Sequence, residues 1–257
     1  MEVSLEMVPR NLLSLQTDAG ICKSYPGITC VNIPDLLRFP IRSWEACGIL
    51  KTQPPLDKTL IPHLRARDFS LDEAFPLTDF FREQSITKAL VIAGDSPAAD
   101  SKTYSVNSME ELTDSPTIPF IKKLKAELPE LEIYAAFDPY RTNIRYELDY
   151  LTAKEAAGAA GFMSQPFFDL RLLEIYAEYL EGKRVFWGIA PVLTAGNRQY
   201  WESRNRAIFP RSFRLDLDWN ISFARQVLQF CESNSFNLYL MPIKMDLSAY
   251  ISGIWPG

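Results

Sequence analysis

The chain has 257 residues, of which 47% are hydrophobic and 23% charged, and its formal net charge at pH 7 is −5. This composition is that of an ordinary globular protein with ample apolar material for a core, and it disfavours a disordered chain. The negative charge also disfavours nucleic-acid binding by phosphate neutralisation, which normally needs a basic face. We therefore expect no nucleic-acid partner.

The sequence shows no sign of export or membrane insertion. Residues 1–10 contain two acids and no apolar segment of the secretory type. No run approaches the roughly 18 apolar residues that a membrane span needs. The four cysteines are scattered without a CxxC pair, and His63 is the only histidine, so we expect no metal site. We predict a cytoplasmic protein with reduced thiols and no membrane partner.

Eight short β-type runs follow one another along the chain, at residues 3–8, 27–33, 60–66, 88–94, 132–137, 161–166, 184–190 and 237–243. Between them, amphipathic segments predict helices at residues 44–50, 71–82, 118–128, 144–157, 170–180 and 223–230. Alternation of strand and helix predicts parallel pairing, because parallel neighbours need crossover connections. Eight such repeats in about 250 residues predict one domain over residues 1–257, a single (β/α)8 TIM barrel.

An open doubly wound sheet is the alternative architecture. It would normally carry a GxGxxG motif after its first strand, and the sequence contains neither this motif nor the Walker pattern. Residues 97–119 are long, polar and rich in Ser, Thr and Asp, which is typical of a βα loop on the catalytic face. Residues 249–256 favour a core or helical role, with an interface as the alternative.

Polar residues end several of the predicted strands, where a barrel of this type places its active site. Glu6 shares a strand face with Ser4 and Val8, so it lies at the mouth of the barrel or is an unusual buried charge. A solvated or salt-bridged carboxylate at the end of the strand is the alternative. Burial at the mouth would raise its pKa and suit it to general-acid work near neutral pH. His63, late in the third strand, is either a structural hydrogen-bonding residue or a catalyst.

Two further candidates follow later strands. Asp95 comes directly after Gly94, whose missing side chain would allow a close approach to the backbone; a turn-capping role for Asp95 is equally compatible with this position. Gln165 lies inside an aromatic run, where a buried amide must find hydrogen-bond partners. Gln165 is therefore a better ligand-binding candidate than a surface glutamine.

Six segments, in order and at approximate spacing, resemble motifs of the methylenetetrahydrofolate reductases. SLEMVPR is similar to their SFEFFPPR-type opening, IPHL to APHL, IAGDSP to LRGDLP, MSQPFFD to ITQFFFD, VFWGIAPV to IPGILPV, and LYLMPIK to FYTLNR. The resemblance runs from Glu6 to Lys244. It implies a barrel that reduces methylenetetrahydrofolate to methyltetrahydrofolate with electrons from NADH or NADPH, passed through FAD.

The resemblance also implies roles for particular residues. Glu6 would be the general acid that opens the folate imidazolidine ring to an iminium ion, and Asp95 would lie beside the pterin and the flavin. Folate would be bound by Gln165, Phe168 and Lys244, the last replacing a family arginine without its bidentate fork. Flavin-contacting positions would be Asn32, His63, Gly94, Tyr104, Phe137, Glu147 and Lys154, with Lys154 directed at phosphate.

Several departures from the family pattern concern the flavin. Ala93 and Ala153 stand where the family has arginines, which removes charge where a dinucleotide pyrophosphate would lie. Glu147 replaces an aspartate and Tyr150 an asparagine. Bound FAD, bound FMN, and direct hydride transfer from NAD(P)H to the folate without flavin therefore all stay open. So do a folate-binding or folate-dependent methyl-transfer protein, a non-catalytic subunit with a partner, and a homo-oligomer.

Overall fold

Eight parallel strands form a closed barrel in this protein. The computed structural model describes residues 1–53, 55–94, 115–243 and 245–255. The strands are β1 (Val3–Glu6), β2 (Cys30–Ile33), β3 (Thr59–Arg65), β4 (Lys88–Ile92), β5 (Glu132–Phe137), β6 (Gly161–Ser164), β7 (Val185–Ile189) and β8 (Asn237–Leu240). Each pairs with its neighbours in chain order, and β8 pairs with β1. The predicted (β/α)8 TIM barrel is confirmed, and closure excludes the open doubly wound sheet.

Helices connect the strands and cover the outside of the barrel. They are α1 (Leu12–Lys23), α2 (Ser43–Thr52), α3 (Thr78–Glu83), α4 (Thr117–Glu127), α5 (Ile144–Ala156), α6 (Leu170–Tyr179), α7 (Ala195–Arg204), α8 (Leu217–Asn234) and α9 (Leu247–Ile254). All six predicted helices are present. The one predicted at 71–82 begins late, because Pro76 disfavours a helical conformation in the residue before it. The helices α1 and α7 were not predicted, because their apolar patterns are weak. The helix α9 includes residues 249–254 of the segment for which a core or helical role was favoured.

Local sequence signals mark where α5 ends and where α6 begins. The Asp169 side chain accepts a hydrogen bond from the backbone N–H of Arg171 and so caps the N-terminus of α6. Gly158 follows α5 with φ +114°, a backbone conformation that other residues rarely adopt. Gly158 ends α5 shortly before β6 begins, and Asp169 ends the loop that follows β6 by starting α6.

Alternation along the strands divides the core into two layers. Outward side chains such as Leu5, Val91 and Trp187 pack against the helices. Inward side chains, including Cys30, Tyr134 and Phe186, fill the barrel. These side chains fill the interior, so a ligand can be bound only at an end of the barrel. In barrels of this type it is the end at which the strands have their carboxyl termini. Cys30 is fully buried among these residues and packs as a small hydrophobe.

Among the described residues, no helix combines the length and the apolar character needed to cross a membrane. Nor do these residues bring together three His, Cys, Asp or Glu side chains in a way that could hold a metal ion.

Candidate functional site

A cavity of about 420 Å³ opens at the carboxyl ends of the strands. Its inner wall includes Glu6, the last residue of β1, and His63, near the end of β3. Gln165, directly after β6, and Met241, directly after β8, also belong to this wall. The rim comes from residues 34–38 after β2 and from residues 191–201 after β7. The volume lies in the range of small-molecule sites.

Glu6 and Gln165 line the same cavity from well-separated strands. The backbone N–H of Gln165 donates to the carbonyl of Phe137 at 2.7 Å, which continues the pairing of β5 with β6 and holds the residue in place. Both side chains are half-buried. The carboxyl from the end of the first strand and the amide that follows the sixth strand therefore face one pocket.

Glu6 is in an environment that favours its protonated form. Burial raises the pKa of Glu6 to about 7, although a hydrogen bond from the Tyr239 hydroxyl to Glu6 Oε2 acts in the opposite direction. Burial, reinforced by the neighbouring carboxyl, holds the pKa of Tyr239 well above its usual range. Glu6 can therefore carry a proton near neutral pH while Tyr239 stays a hydrogen-bond donor. A carboxyl tuned in this way can act as a general acid.

His63 is a neutral imidazole in the wall of the cavity. Burial lowers its pKa to about 3, and the nearby Asp35 carboxylate only partly opposes this effect. Its Nε2 has no hydrogen-bond partner among the described residues. The Ser43 hydroxyl donates to the His63 carbonyl at 2.6 Å and fixes the end of β3. His63 can thus hydrogen-bond a ligand, but it does not carry a positive charge at neutral pH.

An ion pair is built into the wall beside His63. The Asp35 side chain is fully buried, and it accepts hydrogen bonds from Arg42 Nε at 2.9 Å and from the Ser43 backbone N–H at 3.2 Å. Arg42 also reaches Asp68 at 2.7 Å. Because Asp35 is bonded to a guanidinium, its charge is compensated inside the wall.

Sequence reasoning missed several residues of this cavity, among them Asp35, Arg38, Tyr200 and Tyr239. Asp35 follows a strand closely, so the rule that singled out Asp95 would have found it. Tyr239 faces inward by alternation within its strand. Nothing in the sequence marked Tyr200, which is more than half exposed on the helix α7 that was not predicted.

Asn32, Phe137 and Phe168 are buried away from the cavity lining. Asn32 lies deep in the barrel interior and donates to the Ser4 hydroxyl at 2.8 Å. Phe137 faces the helix layer, where it packs edge-on against Tyr176 of α6. Phe168 lies behind the cavity lining, stacked on Phe209 at 4.3 Å between ring centroids and packed edge-on against the lining residue Trp201. Strand alternation explains why the Phe137 side chain points away from the cavity, because the side chain of its neighbour Ala136 faces the cavity.

Glu147 and Lys154 are enclosed between α5 and β5, and neither lines the cavity. Glu147 Oε1 accepts from the Asp138 backbone N–H at 3.0 Å. Lys154 Nζ donates to the Ala136 carbonyl at 2.6 Å and lies 3.8 Å from the centroid of the Tyr150 ring. Burial lowers the pKa of Lys154 to about 7. The amine that the family resemblance directs at a phosphate is therefore engaged behind the cavity wall.

The remaining predicted site residues follow β4 and β8. Gly94 has φ +82°, a backbone conformation that favours glycine, and an added Cβ would lie 3.2 Å from the Cβ of Arg65, a tight contact. Asp95, Tyr104 and Lys244 lie outside the described residues.

No protein-family model matches the sequence, and no curated protein matches it. Among solved structures, an uncharacterised protein from Clostridium thermocellum that binds two copies of 5-methyl-5,6,7,8-tetrahydrofolic acid is similar, with a TM-score of 0.66 and 12% identity over 98% of this chain and 92% of that one. Oxaloacetate acetylhydrolase in complex with 3,3-difluorooxalacetate gives a TM-score of 0.58 and 11% identity, over 94% of this chain and 74% of that one. The 2,3-dimethylmalate lyase, a member of the PEP mutase/isocitrate lyase superfamily, gives a TM-score of 0.53 and 11% identity. The match covers 92% of this chain and 82% of that one. At such low identity these similarities establish the barrel fold alone.

Proposed function

We propose that this protein is a methylenetetrahydrofolate reductase-like oxidoreductase that forms methyltetrahydrofolate with NADH or NADPH. The observation that carries the proposal is the Glu6 carboxyl, which faces the cavity opposite Gln165 with its pKa raised to about 7. Reduction of this substrate needs a proton at a ring nitrogen, and Glu6 can supply one at neutral pH. The six motifs that resemble the reductase family include both residues.

The chemistry assigns a distinct task to each side chain. The Gln165 amide offers both a donor and an acceptor to the edge of the pterin. Protonated Glu6 gives its proton to the ring nitrogen that leaves the methylene carbon, so the C–N bond breaks and an iminium ion forms. The Tyr239 hydroxyl then stabilises the new Glu6 carboxylate. Hydride from the nicotinamide adds to the iminium carbon, giving the methyl group and NAD(P)⁺, and Glu6 regains a proton from solvent.

The described residues do not fit the pyrophosphate of FAD. A pyrophosphate site needs cations or free backbone N–H groups. Lys154 is bonded to the Ala136 carbonyl, Glu147 is fully buried, and among the described lining residues Arg38 is the one with a fixed positive charge. The same shortage of cations applies to the pyrophosphate of NADH or NADPH, so it does not by itself choose between the two routes. Because Ala93 and Ala153 replace arginines of the family's flavin site, we propose direct hydride transfer from the nicotinamide to the folate, and no step of the mechanism passes through a flavin.

The similarity to a protein that binds methyltetrahydrofolate supports a folate as the ligand, since this is the product of the proposed reaction. The same similarity favours a second candidate, a folate-binding or folate-dependent methyl-transfer protein without reductase activity. Such a protein has no need for a proton donor at Glu6. The Glu6–Tyr239 pair therefore favours the reductase over mere binding.

The decisive experiment incubates the purified protein with methylenetetrahydrofolate and NADH or NADPH, and follows methyltetrahydrofolate by mass spectrometry. We expect product with the wild-type protein and a loss of about 100-fold or more in Glu6→Gln, the usual range for a general acid. Glu181→Gln, an exposed position remote from the cavity, is the matched control. Folate binding without turnover by the wild type would select the second candidate. Absence of both would overturn both candidates.

A further inference from the structure

Arg38 is an exposed cation at the mouth of the cavity that contains Glu6. It lies in the loop after β2, and its guanidinium carbon is 5.0 Å from the centroid of the Phe39 ring. Within the described part of the chain, no carboxylate forms a salt bridge with it. The guanidinium is therefore available to a ligand that enters the cavity.

The other titratable groups of the described lining leave little net charge inside. Asp35 is compensated by Arg42, and His63 is neutral. Glu6 holds a proton below pH of about 7. The cavity thus has a nearly neutral, hydrogen-bonding interior and a positive rim. A complementary ligand has an uncharged polar head and an anionic end.

We propose that Arg38 binds the carboxylate tail of the folate at the rim while the pterin occupies the interior. This inference rests on the proposed function and extends it to the part of the substrate that distinguishes a folate from a simple pterin. Free folates carry their negative charge on the glutamate carboxylates, and a guanidinium matches a carboxylate with two parallel hydrogen bonds.

The phosphates of NADH or NADPH are the other anions that could reach this rim. Phosphate sites usually combine a glycine-rich loop with a free helix N-terminus. Residues 34–42 contain no glycine, and the N-terminus of α2 is already capped, since Asp35 accepts from the Ser43 N–H and Glu45 from the Arg42 N–H. A lone guanidinium beside a capped helix suits a carboxylate better than a pyrophosphate.

The test measures binding of two ligands, tetrahydrofolate and 6-methyltetrahydropterin, which lacks the aminobenzoyl-glutamate tail. We expect Arg38→Ala to weaken the binding of tetrahydrofolate about three- to fivefold at low salt, which is the effect of losing an exposed ion pair. Arg38→Glu should weaken this binding about tenfold, because attraction becomes repulsion. Neither variant should change 6-methyltetrahydropterin binding, and added salt should reduce the difference. Arg145→Ala, on the exposed face of α5, should bind both ligands as the wild type does.

Unchanged tetrahydrofolate affinity in Arg38→Glu, with both ligands still bound by the wild type, would overturn the role of Arg38 and leave the proposed function standing. A higher KM for NADH or NADPH with unchanged folate affinity would also overturn it and assign the rim to the dinucleotide. Failure of the wild type to bind either pterin ligand would overturn the proposed function itself.

Discussion

The Tyr239 hydroxyl donates a hydrogen bond to the Glu6 carboxyl across the seam at which the barrel closes. The two residues are 233 positions apart in sequence, yet β8 pairs with β1 in a register that places Tyr239 beside Ser4, two residues from Glu6 on the same strand face. Closure of the barrel therefore creates the environment of the proposed acid.

We predict that Tyr239→Phe moves the pH dependence of turnover. The hydrogen bond from Tyr239 lowers the pKa of Glu6, so removing the hydroxyl should raise that pKa further. Activity that needs protonated Glu6 falls as pH rises through this pKa, and in the variant this fall should move upward by about one pH unit, the effect of one charge-assisted hydrogen bond. The measurement is kcat against pH. Tyr179→Phe, exposed on α6, should keep the wild-type profile, and an unmoved profile in Tyr239→Phe would contradict the coupling.

We predict that Glu6→Gln stabilises the fold at alkaline pH. The pKa of Glu6 is raised from 4.5 to about 7 in the folded protein, so the folded state holds the proton more tightly and wild-type stability falls as pH rises through this window. The permanently neutral amide avoids this loss, which amounts to at most about 3 kcal/mol above pH 7. Thermal unfolding at pH 5 and pH 8.5 should show the stabilisation mainly at pH 8.5. An equal shift at both pH values would argue against an ionising, buried Glu6.

We predict that His63→Gln makes the protein less sensitive to acid. The pKa of His63 is lowered from 6.5 to about 3, so the buried neutral imidazole contributes stability above pH 6.5 that is lost as pH falls toward 3. The amide has no such proton to take up. Urea unfolding at a series of pH values should show a smaller decline for the variant than for the wild type across this window. Parallel declines would mean that His63 titrates normally and is not buried as the structure shows.

We predict that Lys154→Met destabilises the fold without changing folate binding. Removing the amine leaves the Ala136 carbonyl without the hydrogen bond that Lys154 Nζ donates to it at 2.6 Å, a loss of about 1 to 3 kcal/mol. Urea unfolding measures the stabilities and calorimetry the folate affinity. Folate or nucleotide affinity that falls in Lys154→Met, measured where the protein is fully folded, would show that the amine reaches a ligand.

Local patterns along the chain were enough to predict the architecture and part of the site. Alternating apolar residues and amphipathic segments predicted the eight strands and six of the helices, and closure followed from their number. Glu6, His63 and Gln165 could be placed near the cavity because each comes late in a strand or directly after one, and the active sites of such barrels lie there.

The partners of those residues depended on tertiary structure. Which strands meet at the seam determines that Tyr239 reaches Glu6, and the path of the loop after β2 determines that Arg42 neutralises Asp35 and leaves Arg38 at the rim. Lys154 is directed away from the cavity because the face of α5 that carries it packs on β5. Strand and helix periodicities are local and can be read from neighbouring residues, whereas burial, pKa and ion pairing depend on groups far apart in sequence, so only the folded barrel decides them.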